Sequence, residues 1–316
     1  VKKYIMPYFI PFQGCPFKCI YCDQTAISGD NGIGLAEALE KFASEHKNEQ
    51  YSAEVAFFGG TFSLLDTEKQ HDFLKIANDF IRKGAIQGIR FSTRPDALDD
   101  GLLEYYRANR VNHIELGVQS FNDKYLEMLN RGYKADSVMA VIDRIKSHGI
   151  SVGVQMMMGF PGQTETEFME DINTMIAAAP SDCRLYPLTV LKGTELERRY
   201  YQDDLKIMGM ETAVDWVAGA ADMIEAAGIE IRRIGLPHSV ELQKNVVAGL
   251  YHPSFADKVR FRMLNKAFDN ITIKPGDVIL VNQADLQYAN RIMRSKKINN
   301  KILPDKDMER SKAAIQ

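Results

Sequence analysis

Six short apolar runs, near residues 5–12, 53–58, 87–93, 112–118, 150–158 and 183–190, are separated by stretches whose apolar residues recur at helical spacing. That alternation restricts the chain to helices laid across a parallel sheet. In 136–148, Val138, Val141, Ile142 and Ile145 fall at i, i+3, i+4 and i+7, with Asp136 as the candidate N-cap and Gly149 just past the end. Thr164 and Glu167 make a capping box ahead of Phe168, Ile172, Met175 and Ile176. Helices near 35–47, 66–83 and 99–109 complete the set. Six βα units over residues 1–205 are too few for a closed eight-stranded barrel, so the expected fold class is α/β, a partial (β/α)6 TIM-type barrel.

After about residue 205 the regular alternation stops. A helix over 209–227 leads into a strand at 229–233, Gly235-Leu236-Pro237-His238 breaks the pattern, and 257–268 reads as a helix. Residues 271–281 are expected to form a hairpin turning at Pro275-Gly276, with a final helix over 284–300. Residues 206–316 are therefore read as a small α+β extension packed on the barrel and available for substrate recognition.

In an open barrel the C-terminal ends of the strands carry the site, and the unusual residues gather there. Gly59-Gly60-Thr61 follows the second strand, Ser92-Thr93-Arg94-Pro95-Asp96 the third, and Met158-Gly159-Phe160-Pro161-Gly162 the fifth, while Glu115-Leu116-Gly117-Val118-Gln119-Ser120 lies on the fourth. After the first strand comes Cys15-Pro16-Phe17-Lys18-Cys19-Ile20-Tyr21-Cys22. Three clustered thiolates are the ligand set of a 4Fe-4S cluster with one iron left open. A structural zinc site closes with four Cys or His ligands, but residues 23–45 contain neither, and His46 has no partner beside it. The fourth cysteine, Cys183, sits in a distant apolar stretch and reads as core filling. Crowding of three of the four cysteines into one run argues against a disulfide framework. Cys15, Cys19 and Cys22 are the candidate metal ligands.

An open iron can take an α-amino acid through its amine and carboxylate, the groups S-adenosylmethionine (SAM) presents. Reduction of its sulfonium breaks a carbon–sulfur bond and releases a 5′-deoxyadenosyl radical, which is the cofactor's own chemistry. Gly59 and Gly60 either leave backbone exposed to the methionine ammonium, with Thr61 adding a hydroxyl, or serve a tight turn. Strand periodicity puts Glu115, Gly117 and Gln119 on one face. Glu115 and Gln119 then meet either the ribose and methionine end of the cofactor or Arg94 in an internal network. Arg94 is itself a candidate for bidentate hydrogen bonding to the methionine carboxylate. Tyr21 either lies against adenine or keeps water off the cluster. Gly159, with Pro161-Gly162, either shapes the adenine pocket or caps the strand.

Taken together, these segments resemble the radical S-adenosylmethionine superfamily. The likeness rests on the cysteine triplet with an aromatic before its last member, and on Gly59-Gly60-Thr61 in the position of a Gly-Gly-Glu motif. More narrowly, the chain resembles the radical SAM domain of the Elongator catalytic subunit family, which modifies wobble uridine in tRNA. That likeness rests on Ser92–Asp96, Glu115–Ser120, Arg131-Gly132-Tyr133, Met157–Gly162 and Arg184-Leu185-Tyr186-Pro187 running to Gly193-Thr194, within residues 4–200. The chain departs from that family in lacking a recognisable acetyltransferase domain after residue 205. It departs from the porphyrinogen oxidases in carrying Gln24 where they have a further cysteine. The resemblance implies a partial radical SAM barrel that uses a 4Fe-4S cluster and SAM to abstract hydrogen from a substrate, expected to be an RNA (tRNA) nucleoside. The alternatives are a small metabolite, porphyrin-like compound or peptide as substrate, or a non-catalytic protein that only binds cluster and SAM. An electron donor such as ferredoxin or flavodoxin is implied as a partner.

The formal net charge of -3 gives no general attraction to polyanions. Arg291 to Lys301, however, carries five Lys or Arg and no acid, and is read as a phosphate-contacting face extended by Arg184, Lys192, Arg198 and Arg199, or else as a solvated helix surface. The turn Gly249–Phe255 either offers His252 and two aromatics to the open side of the barrel or carries His252 as a surface hydrogen-bonding residue. Apolar runs fall short of the ~18 residues that span a bilayer. The opening residues lack a secretory h-region, so a cytoplasmic protein with no membrane partner is expected.

Overall fold

The computed structural model describes residues 2–16, 18–28, 32–202 and 205–315. β1 (Lys2–Phe9) runs into the cysteine loop, α1 (Gln24–Ser28) and α2 (Leu35–Glu45). β2 (Tyr51–Phe58), α3 (Thr67–Arg82), β3 (Gly88–Thr93), α4 (Asp100–Ala108) and β4 (Val111–Gln119) follow in strict alternation. Next come α5 (Asp123–Met128), α6 (Asp136–Ser147), β5 (Ser151–Met158), α7 (Glu165–Ala177), β6 (Asp182–Pro187), β7 (Thr189–Leu191) and α8 (Glu195–Gln202). The remainder holds α9 (Met210–Ala226), β8 (Glu230–Ile234), α10 (Val240–Asn245), β9 (Val246–Gly249), α11 (Phe255–Asp269), β10 (Val278–Asn282), α12 (Leu286–Ser295), β11 (Lys301–Asp305) and β12 (Ala313–Ile315).

Among the described residues seven strands form one parallel sheet in the order β1-β2-β3-β4-β5-β6-β8. Side chains from non-adjacent strands meet on one face: Arg90 on β3 reaches Asp182 on β6 at 4.0 Å, and Arg184 on β6 reaches Glu115 on β4 at 2.8 Å. The sheet is therefore curled into a partial TIM-type barrel, with helices packed on its outer face. The central strands are buried on both sides, as parallel strands covered by helices must be. The capping box forms as expected, Thr164 Oγ1 accepting from the Glu167 amide at 3.2 Å and Glu167 from the Thr164 amide at 2.8 Å. Asp136 is instead the first helical residue of α6, after Ala135, where its charge still favours the helix N-terminus. Cys183 is fully buried in the core.

Two expectations for the second half are corrected. The strand read at 229–233 does not belong to an extension: as β8 it is the seventh strand of the barrel sheet, and α9 is its crossover helix. The expected hairpin at Pro275-Gly276 does not form. β10 pairs in parallel with β11 and antiparallel with β12 instead. The turn itself closes, the Asp277 amide donating to the Lys274 carbonyl at 3.1 Å, and the side-chain amide of Asn300 donates to the Lys274 and Asp277 carbonyls at 2.6 and 3.0 Å. α12 also stops at Ser295, earlier than read, and Lys297 just beyond it has φ of 55°.

Candidate cluster and cofactor site

The cysteine loop is seated on the turn after β2 by backbone fit. Ile10, Phe12 and Thr61 amides donate across it to Phe58, Gly59 and Gln13 carbonyls at 2.7, 2.9 and 2.9 Å. A Cβ on Gly60 would lie 2.4 Å from the Gln13 carbonyl oxygen, and one on Gly14, whose φ is +73°, would lie 2.2 Å from that of Thr61. Both glycines are thus required by backbone approach within the protein, which favours the turn reading of Gly60. Gly59, Gly60 and Thr61 still line the cavity above.

That cavity, about 670 Å³, is within the range of small-molecule sites. Cys15, Cys19 and Cys22 all line it, together with Tyr21, Thr61, Arg94, Gln119 and Arg131. Each thiol has a polar neighbour. Thr61 Oγ1 lies 3.4 Å from Cys15 Sγ, Gln24 Nε2 donates to Cys22 Sγ at 3.3 Å, and Arg131 Nη1 donates to Cys19 Sγ at 3.1 Å. Burial pushes the Cys22 thiol up to about 12, and the neighbouring Cys19 adds to the effect. Loading a metal cluster here therefore releases a proton from Cys22, a thiol that is reluctant to ionise alone. Among the described residues no three Cys, His, Asp or Glu side chains converge closely enough for a single metal ion. The donor set is thiolate alone, which suits a cluster.

In the sequence Arg131 stands out only as part of the Arg131-Gly132-Tyr133 segment, with nothing there to mark it as a site residue. Its Nε donates to the Tyr133 hydroxyl at 3.2 Å and its Nη2 to the Gly117 carbonyl. Burial works against its charge, but Tyr21, Tyr133 and Cys19 around it hold the guanidinium firmly protonated. Burial likewise keeps the Tyr21 phenol neutral, well above its usual range, although Arg131 pulls the other way.

Arg94 is not placed to clamp a cofactor carboxylate in bidentate fashion. Its Nε and Nη2 already hold the two Asp96 oxygens, both at 2.9 Å, and Nη2 also donates to the Arg131 carbonyl. The cation that faces the thiols is therefore Arg131, with Arg94 supporting its backbone. Glu115 is also displaced from its expected role. It is 1% exposed and does not line the cavity; it takes Arg90 Nη1 at 3.0 Å, Arg184 Nη2 at 3.0 Å and Gln155 Nε2 at 3.1 Å. The internal-network alternative applies, with Arg90 and Arg184 rather than Arg94. Gln119 does line the cavity: an irregularity between Gly117 and Gln119 breaks the strand's alternation, and its φ of 72° turns it over Gly117. Gly159 does not line the cavity. Its φ of +85° turns the chain under Leu250, whose Cδ1 would lie 2.6 Å from a Cβ there, so it caps the strand.

Below the cavity the ion network continues. Arg90 Nε donates to Glu54 at 2.7 Å and Arg232 Nε to Asp182 at 2.6 Å. Gly153 makes room for it, since a Cβ there would stand 2.3 Å from Asp182 Oδ1. His113 stays neutral, burial first and Arg90 second lowering it to about 3. Arg184 is thus an interior residue and no part of a surface basic face, and Arg198 and Arg199 both pair with Glu195. His252 does not reach the cavity either; its Nδ1 accepts from the Ser254 amide at 2.9 Å within its own turn.

A family model described as the Radical SAM superfamily matches residues 9–175, and one described as the Radical_SAM C-terminal domain matches residues 180–265. The chain belongs to the Radical SAM superfamily. Radical SAM enzymes use a 4Fe-4S cluster and SAM, which the three cysteines and the lining of this cavity fit. An uncharacterized protein of Methanocaldococcus jannaschii is 31% identical over 206 residues, covering 63% of this chain and 61% of its own length. Heme chaperone HemW of Synechocystis sp. is 25% identical over 251 residues, covering 74% of this chain and 60% of its own. A tRNA uridine(34) acetyltransferase of Methanocaldococcus infernus is 24% identical over 208 residues, covering 60% of this chain and 38% of its own. The chain thus spans 61% or less of these relatives. Among solved structures, archaeal Elp3 of Methanocaldococcus infernus with an N-terminal deletion shares the fold at a TM-score of 0.66 and 18% identity, over 84% of this chain and 63% of that one.

Proposed function

We propose that this radical SAM chain acts on an RNA nucleoside, with tRNA as the expected carrier. The reading is carried by the gathering of three cysteine thiols and the buried Arg131 cation at one end of a cavity whose walls mix apolar side chains such as Phe58, Met157 and Leu236 with hydroxyl, amide and arginine groups. When bound, the 4Fe-4S cluster and SAM together supply a 5′-deoxyadenosyl radical, which abstracts hydrogen from the substrate. Cys15, Cys19 and Cys22 hold the cluster. Arg131, charged and desolvated and already donating to Cys19, Gly117 and Tyr133, offsets thiolate charge at Cys19 and makes the cysteine end of the cavity electropositive. Gly59, Gly60 and Thr61 offer backbone and hydroxyl groups to the ammonium, Gln119 an amide to the ribose, and Tyr21 excludes water beside the cysteines. Arg94 positions Arg131, and Glu115 positions Arg184. The region 206–316 contributes substrate recognition, and a ferredoxin or flavodoxin in the cytoplasm delivers the electron.

RNA is favoured by Arg294, Lys297 and Lys301, which are exposed and have no ion-pair partner among the described residues. It is favoured also by the tRNA-modifying relative. Within the same stretch Lys296 pairs with Asp269 and Arg291 stacks 4.8 Å from the Phe261 ring. A second reading, a small anionic or porphyrin-like substrate, is favoured by the longer match to the heme chaperone and by the arginines inside the cavity. Incubation of tRNA with reconstituted protein, SAM and dithionite, followed by nucleoside mass spectrometry, separates the two. A new protein-dependent nucleoside is expected; unchanged profiles in tRNA and rRNA would move the weight to the second reading.

A further inference from the structure

β8 forms one edge of the barrel sheet, and its pairing with β6 is irregular. Cys183 faces Ile231 but Arg184 faces Arg233, so one extra residue, Arg232, is inserted. A bulge of this kind interrupts the two-residue alternation and re-aims side chains. As a result Arg232 and Arg233, consecutive in sequence, both line the cavity alongside Arg184 and Tyr186.

The arginines of this cavity differ in what they already bind. Arg184 is paired with Glu115 at 2.8 Å, and Arg232 with Asp182 at 2.6 Å and Glu230 at 3.3 Å. Arg94 is held by Asp96 at 2.9 Å, and Arg131 spends its donors on Cys19, Gly117 and Tyr133. The Arg233 side chain has no hydrogen bond or ion pair among the described residues. Its neighbour Tyr186, flanked by Arg184 and Arg233, adds a hydroxyl to the same wall. A substrate anion arriving at Arg233 forms charge-assisted hydrogen bonds without first breaking an internal ion pair, whereas at the other arginines it must compete with a carboxylate. The cavity extends from the cysteine thiols to β8, so a group held at Arg233 leaves the cysteine end for the cofactor.

We propose that Arg233, with the Tyr186 hydroxyl beside it, is an anion subsite that holds a phosphate group of a nucleotide substrate. The planar guanidinium fork matches both phosphate and carboxylate oxygens; the choice of phosphate rests on the reading of the substrate as RNA. The bulge would then be the device that puts an uncommitted cation on the cavity wall.

The test is calorimetric titration of anaerobic, cluster-loaded protein in the presence of SAM with uridine 5′-monophosphate, uridine and succinate. Arg233→Ala is expected to weaken uridine monophosphate binding roughly 10- to 100-fold, the range of a lost charged hydrogen bond. Arg233→Lys should recover part of that loss, and uridine affinity should not change. Iron content and the visible cluster absorbance of each variant check that the protein is intact. Equal uridine monophosphate affinity in wild type and Arg233→Ala, no binding by wild type, or an equal loss for uridine would each overturn the subsite. Tighter, Arg233-dependent succinate binding would overturn phosphate as the ligand. Because binding is read without turnover, unmodified tRNA alongside Arg233-dependent phosphate binding would remove the RNA reading while leaving the subsite standing.

Discussion

Replacement of Glu115 by glutamine should damage the fold far more than it damages cofactor binding. The carboxylate is 1% exposed and bonded to two guanidinium groups, Arg90 at 3.0 Å and Arg184 at 2.8 Å. Arg90 keeps Glu54 at 2.7 Å after the change, whereas Glu115 is the carboxylate against which Arg184 is paired, and the Arg184 side chain is only 12% exposed. Orphaning one member of a buried pair costs about 3–5 kcal/mol, and the lower end applies because glutamine keeps the shape and one acceptor. For a chain of this length, about 3 kcal/mol lowers the thermal midpoint by roughly 4–5 °C. Anaerobic scanning calorimetry of Glu115→Gln and of the double variant Glu115→Gln/Arg184→Met measures it. The double variant should lose less than the sum of the two single changes, because it removes the cation that was orphaned. A midpoint within about 1 °C of wild type, combined with weakened SAM binding, would show that Glu115 touches the cofactor and that the network reasoning is wrong.

Other substitutions read other parts of the structure. Gly60→Ala places a methyl group 2.4 Å from the Gln13 carbonyl and should displace the cysteine loop, so reconstituted protein should hold much less iron per chain; full iron content would contradict the backbone fit. Asp171, which accepts from Ser120 Oγ at 2.6 Å and the Phe121 amide at 2.7 Å, is raised by burial to about 6. Because the native form binds that proton more tightly than the unfolded chain, its stabilising contribution is full below about pH 4 and is lost as pH rises through about 6. Urea midpoints at pH 5 and 7 should reveal about 1 kcal/mol of this slope in wild type and not in Asp171→Asn, and identical slopes would refute the assignment. Charge reversal of Arg294, Lys297 and Lys301 should weaken tRNA binding and reduce the salt slope by about 2–3 units, and an unchanged slope would remove that face from the RNA contact.

The helices and strands of residues 1–200 were legible because each crossover pairs a short apolar run with an amphipathic stretch. The cysteine loop, Tyr21, the Gly59–Thr61 turn and Gln119 stand out in the sequence by their place at strand tips, and the structure gathers them around one cavity. What the sequence hid depends on pairings between distant segments. Glu115 and Arg94 are polar groups at suitable positions, but whether each faces a ligand or another residue is decided by Arg184 69 residues away and by Asp96 two residues away. Arg131 becomes a site residue only because its loop folds back over Gly117 onto Cys19, a contact 112 residues apart. β8 was separated from its partners by a long helix and carries three charged residues in five, so it read as part of an extension although it closes the sheet edge. At Pro275-Gly276 the turn residues were read correctly and the turn closes, but the strand after it pairs with β11 and β12, segments far along the chain, and not with the residues before the turn.

The central claim is that Cys15, Cys19 and Cys22 hold a cluster able to cleave SAM in this cavity. The direct measurement is chromatographic quantification of 5′-deoxyadenosine from anaerobically reconstituted protein with SAM and dithionite, beside a Cys19→Ala control. Wild type should form the nucleoside with time while the control stays at background; equal background in both would contradict the claim.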